Sequence, residues 1–565
     1  MIGAKTVVAG ALLALIVLVP LAWSKLFIAE FTLAKLLVIN AALALAAVAA
    51  AMNPGAIAGG RSALDFPLAA GLTVILLSAA FSDDPLTSLR GRYDSYAYGA
   101  WGLLLAAAAA QLAARGTRGL RDETARWLGW SAAIVGGYAI LQKLGVDPIF
   151  HLKQLPTGGR AVSTLGSPVD LGAMLALLWP LALRRFDIER GARSALLAAL
   201  VAGGLLASGS RGAMLAAAAG SAIYWMLSRR EPRTALPRSL GAAALAAGFA
   251  LAWSLRSGAS VSDLARLEVW KAAWAAFSQR PWLGWGLDGF QDSFRLLRSD
   301  AFVSLLGSGS YQAYPHNDFL HVLSGIGVVG AAAYAWLLFA VCRAAQRALQ
   351  PEPGRGLAAA LFAGLLALWI NVALNPVALE VLVLAAVCAG LLASASASSQ
   401  PRAPSQHLLA AFAALALVSL VHAAVLARAD AVYKRGAKAS AAGGFAAARA
   451  DFARARKMAP CELAYITGEV NAVGDWINAT HDIPQRLALL ALADADAGAA
   501  LSCHPRQSMS HYVAAGVSRM HADLGFRDRL PQAVREFDRA LALDPKFEPL
   551  LSARRDAARL LPPAR

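Results

Sequence analysis

Apolar runs long enough to cross a bilayer as helices recur from the N-terminus to about residue 427. They fall at roughly 5–23, 27–52, 66–82, 97–114, 127–145, 168–183, 194–209, 211–228, 238–255, 318–341, 356–373, 377–395 and 407–427, about thirteen spans in all. A long mixed segment, 256–317, separates the ninth span from the tenth. Beyond Ala427 the pattern changes to short amphipathic helices rich in charge. The expected fold class is therefore all-α: a polytopic membrane core over 1–427, loop 256–317 included, and a C-terminal helical domain over 428–565.

Composition supports this division. Hydrophobic residues make up 58% of the 565 positions and charged residues only 15%, against about 25% charged in soluble domains. A soluble enzyme, a disordered chain and a disulfide-stapled miniprotein are all excluded. The net charge of +17 would suggest nucleic acid in a soluble protein. Here it is read as basic loops together with sites for anionic lipid or diphosphate, with no nucleic-acid partner. Arg115, Arg118, Arg121 and Arg126 share one loop; Arg184, Arg185, Arg190 and Arg193 share another. Arg229, Arg230, Arg233 and Arg238 follow, then Arg343, Arg347 and Arg355. All lie on one side of the span list, which the positive-inside rule makes cytoplasmic. The N-terminus is then inside. The first span has no cleavage site and is followed at once by another, so it is not read as a signal peptide. Segments 256–317 and 428–565 then fall on the opposite side, the periplasm or its equivalent.

The tail repeats loosely. Tyr433, Gly436, Gly444, Phe452, Ala455 and Pro460 have counterparts in Phe537, Ala540, Leu541 and Pro545, and a third helix pair ends at Pro505. This resembles tetratricopeptide repeats, in which stacked helix pairs end at a proline. Two readings stand: a surface that docks a periplasmic protein or glycan partner, or a cap over the membrane core. Cys342 and Cys388 fall in spans, as small packing residues. Cys461 opens a helix pair and Cys503 closes it, so an antiparallel hairpin would bring them together as a disulfide; two buried thiols in a helical core are the alternative.

Chemistry concentrates at a few places outside the apolar runs. His316, within Tyr314-Pro315-His316-Asn317-Asp318, sits where the long loop re-enters the membrane and suits proton transfer. Asn317 is a candidate cap for the following helix, Asp318 complements its positive end, and His321 lies deeper as packing. Arg211, in Ser208-Gly209-Ser210-Arg211-Gly212, opens a helix whose N-terminus could share an anion with its guanidinium. Arg266 lies on an amphipathic segment whose stripe of Leu267, Trp270, Trp274 and Phe277 suits the outer leaflet. Arg160, in the outer loop before the sixth span, is a candidate for a further phosphate contact. Asp83-Asp84 is the only acidic pair in an outer loop; a turn or helix start is the plainer reading and a hard cation the alternative. Metal-ligand clusters, phosphate-binding loops and nucleophile elbows are missing from the sequence, so neither metal nor cofactor is expected.

Ser210-Arg211-Gly212-Ala213, Arg266 to Trp270, Pro281-Trp282-Leu283-Gly284-Trp285-Gly286, His316-Asn317 to Leu320, and Gly327 occur in that order. Together they resemble the bacterial O-antigen ligase and polymerase superfamily over about 70–395. One departure is Ser167-Pro168-Val169-Asp170, where relatives often carry an Asn-Pro-Asn or Pro-Asn pair. The resemblance implies a GT-C-like multi-span fold and transfer of a glycan from an undecaprenyl-diphosphate donor at the periplasmic face. Arg211 and Arg266 would hold the diphosphate, and His316 would take the proton of an acceptor hydroxyl, inverting the anomeric centre without a metal. The acceptor could be lipid A–core, a growing glycan or protein, the last making the chain a protein O-oligosaccharyltransferase. A transporter or flippase of lipid-linked glycan is the competing class, with Lys35 and Lys143 its only intramembrane charges, both placed to snorkel. An envelope scaffold built around the tail is a third.

Overall fold

The computed structural model describes residues 3–57, 60–117, 119–151, 155–228, 261–350, 354–395 and 405–561. The architecture is all-α, with no strand among the described residues. The apolar region contains α1 (Ala4–Leu21), α2 (Thr32–Met52), α3 (Asp65–Ala80), the short α4 (Pro85–Arg90), α5 (Ala100–Gly116), α6 (Arg121–Lys143), α7 (Pro168–Glu189), α8 (Ala192–Ser208) and α9 (Arg211–Ser228). The loop carries α10 (Val261–Gln279), α11 (Phe290–Leu297) and α12 (Asp300–Leu306). Then come α13 (Asp318–Ala348), α14 (Arg355–Val372), α15 (Leu379–Ala395) and the long α16 (Gln406–Ala441).

Five of these helices, α1, α2, α13, α14 and α16, are long and apolar enough to cross a membrane, and α3, α8 and α15 are shorter apolar helices. The remaining expected spans coincide with α5, α6, α7 and α9, except 238–255, which lies outside the described residues together with Arg229 to Arg238. Close packing through small residues explains how such helices cohere without strong hydropathy. Gly204 of α8 meets the Gly136 backbone of α6 so closely that an added Cβ would sit 2.4 Å from its Cα.

Lys35 does not snorkel. It is buried, donates to the Thr164 carbonyl at 2.9 Å and pairs with Glu380 at 3.6 Å. An internal carboxylate satisfies the ammonium better than a long reach to the interface would. Lys143 ends α6 and donates to the Gly159 carbonyl.

The helix ends sort into two groups. Asp122 pairs with Arg184, Arg355 donates to the Leu227 carbonyl, and Arg184 lies beside Gly356, which gathers the basic loops at one end. Lys143, Arg160, Ser208, Arg211 and the 371–375 segment form the other.

The loop packs on its own small core of Ala265, Val269, Ala273, Phe290, Phe294 and Phe302. The contact face of α10 is thus the alanine side. Leu264, Leu267 and Trp274 face outward, and Trp282 stands 71% exposed beyond them. The turn Pro281–Gly286 is bonded to α13: Trp285 and Gly286 donate to the Ser324 and Gly325 carbonyls, and Val328 donates to that of Pro281. Gly327 breaks α13 there with φ 65°, and a side chain at that position would collide with the Trp282 carbonyl.

α16 runs without a break into the C-terminal domain, which continues as α17 (Phe445–Met458), α18 (Leu463–Ala479), α19 (Ile483–Cys503), α20 (Ser508–Asp523), α21 (Leu530–Leu543) and α22 (Glu548–Arg559). Each packs on its neighbour. Pro460, Pro505 and Pro545 follow α17, α19 and α21, ending three successive pairs. Cys461 and Cys503 are disulfide-bonded with Cα atoms 5.5 Å apart, because the start of α18 and the end of α19 meet.

Candidate functional site

Three arginines meet where α9 begins. A tight turn at Gly209 (φ 58°) ends α8, and Arg211 opens α9 directly after it. Arg160 crosses this turn, its Nε donating to the Ser208 carbonyl at 2.9 Å and its aliphatic stem resting on Gly209. Arg266 arrives from α10, with Asp263 one turn ahead of it. Asp263 Oδ1 lies 3.7 Å from Arg211 and 3.6 Å from Arg266, so one carboxylate bridges the two cations. Burial and the positive charges of Arg211 and Arg266 press the Arg160 pKa downward. These groups are only partly exposed, 41% for Arg211 and 33% for Arg266. Two guanidinium groups on one carboxylate, with a third arginine close by and a helix N-terminus beside them, have the chemistry to hold an anion.

His316 stands at the edge of this cluster. Its backbone is left-handed, φ 55°, which costs about 1–2 kcal/mol for a side-chain-bearing residue. Asn317 caps α13 by accepting from the Leu320 amide, and donates to the Ala373 carbonyl at 3.1 Å, tying this loop to the end of α14. The imidazole Nε2 lies 3.0 Å from Gln312 Oε1. An amide oxygen only accepts, so the neutral ring carries its proton on Nε2 and leaves the Nδ1 lone pair for a substrate proton. Burial first, and then Arg266, push the His316 pKa down to about 4. At neutral pH the ring is uncharged and able to accept a proton.

Two residues that the sequence reading passed over complete the site. Asn375 accepts from Arg266 at 3.4 Å. Asn371, one turn earlier on α14, is fully buried, and neither its amide nitrogen nor its oxygen has a partner among the described residues. Both asparagines border Gly212 in the first turn of α9: a Cβ there would lie 2.9 Å from Asn375 Nδ2 and 3.4 Å from Asn371 Oδ1. An Asn pair one turn apart before Pro376, at the end of an apolar run, is the pattern that could have signalled them.

The other expected residues lie apart from the arginines. Tyr314 donates to Ser95 Oγ at 2.7 Å and stacks on His321, supporting the loop from behind. Asp318 accepts from Tyr334. Ser167 caps α7, and Asp170 accepts from the Ala378 amide. Asp83 is taken up by Arg280 and Arg506, and Asp84 by Thr87, His504 and Gln507, so this acid pair joins domains. No group of three or more metal-ligating side chains occurs among the described residues. A separate cavity of about 160 Å³, lined by Asp122, Arg126, Arg184 and Glu189, lies at the basic end, away from this site.

An all-helical protein with five helices long and apolar enough to cross a membrane is of the polytopic membrane class. Residues 196–335 match the family model described as O-antigen ligase, a match that supports the O-antigen ligase and polymerase superfamily. That stretch contains Arg211, Arg266 and His316. No curated protein matches the chain. The family carries glycosyl transfer in general, from a lipid-linked glycan donor to a glycan acceptor.

Proposed function

We propose that the protein transfers a glycan from undecaprenyl diphosphate to an acceptor hydroxyl at the periplasmic face of the bacterial inner membrane. The observation that carries this reading is the Arg211–Asp263–Arg266 bridge beside Arg160 and a neutral His316. The donor diphosphate displaces the Asp263 carboxylate from the guanidinium groups and is held by Arg211, Arg266 and Arg160. The acceptor oxygen attacks the anomeric carbon opposite the diphosphate, and the bond from that carbon to the phosphate oxygen breaks. The hydroxyl proton passes to His316 Nδ1. Negative charge left on the departing diphosphate is stabilised by the arginines, which supply the role a divalent cation would otherwise fill. The configuration inverts. Asn317 and Tyr314 position the histidine loop, and Asp318 belongs to the same support.

Occupation of the arginines by a dianion removes part of the field that depresses His316, so the base strengthens as the donor binds. Lys35 with Glu380 is the internal pair a carrier would need, yet the ammonium is satisfied by backbone carbonyls as well as the carboxylate, which favours a structural role.

Product analysis after deletion of this protein tests the reading and names the acceptor. Loss of long glycan on lipid A–core identifies a ligase. Accumulation of single repeats on the carrier identifies a polymerase, and loss of glycan on protein identifies a protein O-oligosaccharyltransferase. Unchanged glycan on all three overturns the proposal.

A further inference from the structure

The segment 84–98 touches both the C-terminal domain and the site. At its start, Asp84 caps α4 through the Thr87 amide and lies 2.8 Å from His504 Nδ1. At the other end of α4, Arg90 meets Glu462 at 2.5 Å. Glu462 and His504 are each adjacent in sequence to a cysteine of the Cys461–Cys503 bridge, and His504 Nε2 lies 2.9 Å from the Cys461 carbonyl. The disulfide therefore holds together the two residues that grip the two ends of one short helix.

The same segment then turns inward. The Arg92 amide donates to buried Asp288, and the Arg92 guanidinium lies over the Tyr314 ring at 5.4 Å. Ser95 accepts from Tyr314, two residues before His316. Tyr98 accepts from the Val377 amide, two residues after Asn375. Both lines into the site, one to the histidine and one to the asparagine that contacts Arg266, thus start from this strap.

We propose that residues 84–98 are a positioning strap, clamped by the disulfide-bonded edge of the C-terminal domain, that sets His316 and Asn375 in place for glycan transfer. This rests on the transfer reading above. Glu462, His504, Ser95 and Tyr98 act on the reaction through other residues and touch no reacting atom. Misplacement of a base by about an ångström costs up to 100-fold in rate, so a modest loosening of the strap is felt in kcat. The donor's affinity, set by the arginines on α9 and α10, is affected far less.

The test uses the purified full-length protein in nanodiscs, with an undecaprenyl-diphosphate oligosaccharide as donor. Transfer kinetics and hydrogen exchange of segments 84–98 and 312–317 are followed together. Cys461→Ser/Cys503→Ser should speed exchange in both segments and lower kcat roughly tenfold, with KM for donor within about twofold. Glu462→Gln/His504→Gln keeps the bridge, and Ser95→Ala severs only the last link; each should lower kcat in the same manner. Arg554→Gln, which breaks an exposed pair with Asp538 between α21 and α22, should leave kcat unchanged. If the cysteine variant fails to fold, the other two carry the test. Unchanged kcat in those variants, or faster exchange confined to 462–503, overturns the strap. A wild-type protein with no transferase activity but with the same exchange coupling would remove the transfer reading and leave the mechanical link standing.

Discussion

Asp544→Ala should undo the docking of the C-terminal domain more severely than Arg298→Met. Arg298 and Asp544 meet at 2.6 Å with side chains only 1% and 4% exposed, and Arg298 also donates to the Ser310 carbonyl. Removing one member of such a pair leaves an uncompensated buried charge, at a cost of about 3–5 kcal/mol. The two halves are unequal. Burial raises the Asp544 pKa against the pull of Arg298, so an orphaned Asp544 escapes its charge by taking a proton. An orphaned guanidinium has no such escape. Asp544→Ala therefore belongs at the upper end of that range and Arg298→Met at the lower. At roughly tenfold per 1.4 kcal/mol, local opening should rise about 100-fold for Arg298→Met and above 1,000-fold for Asp544→Ala. Hydrogen exchange of α21 and of residues 299–310 reads these factors directly. The double change Arg298→Met/Asp544→Leu should recover most of the protection, since an apolar pair of similar size replaces the ions. Less than about fivefold acceleration in Asp544→Ala would show that the pair does not hold the domain, and equal effects of the single changes would refute the protonation argument.

Other expectations follow from the site and the interface. Asn371→Leu should leave folding intact or slightly strengthened, because it removes unpartnered polar atoms, while weakening donor use at least about tenfold in kcat/KM. Gly212→Ala, whose methyl meets Asn375 and Asn371 and so pushes the first turn of α9 and the adjoining Arg211 out of place, should raise KM for donor with the thermal midpoint little changed. Since His316 titrates near 4 in the free enzyme through burial and Arg266, the acid limb of kcat/KM should lie near 4, well below the ordinary 6.5. Arg266→Gln should move that limb upward in whatever activity remains. At the domain interface, burial opposes charge on His504 but Asp84 prevails and raises its pKa above 6.5, while Asp84 itself, despite burial, is held below 3.8. The His504 contribution to docking is then full below pH 6.5 and lost as pH climbs through the raised value; that of Asp84 is present above 3.8 and lost on acidification. Exchange protection of α4 across pH 3–10 checks both signs.

Much of this arrangement was legible in the sequence because it depends on local pattern. Helix starts at Arg211 and Asp318 are marked by the Gly209-Ser210 turn and by Asn317, and alternation of spans puts Arg160, Arg211, Arg266 and His316 at one set of helix ends. The Cys461–Cys503 pairing follows from hairpin geometry. What escaped depends on packing between distant elements. Asn371 reads as an incidental amide in an apolar run until α14 is laid against α9. Asp263 is by position an ordinary first-turn acid, and only the approach of α10 to α9 makes it the shared counter-ion. The aromatic stripe on α10 was recognisable, but its alanine face decides what the helix packs on. Lys35 found Glu380 and Asp84 found His504 across hundreds of residues, a pairing for which local sequence carries no signal.

The central claim is that Arg211, Arg266 and His316 serve one transfer reaction. The most direct measurement is release of undecaprenyl diphosphate from a purified lipid-linked oligosaccharide donor, with an acceptor glycan supplied. The wild-type protein should release the carrier stoichiometrically with product of inverted anomeric configuration, in the presence of chelator. Arg211→Lys and Arg266→Lys should each impair release, because a point charge does not replace a bidentate guanidinium, and His316→Ala should abolish it. Full release by His316→Ala, or a wild-type reaction that stops in chelator and resumes with Mg²⁺, would contradict the account.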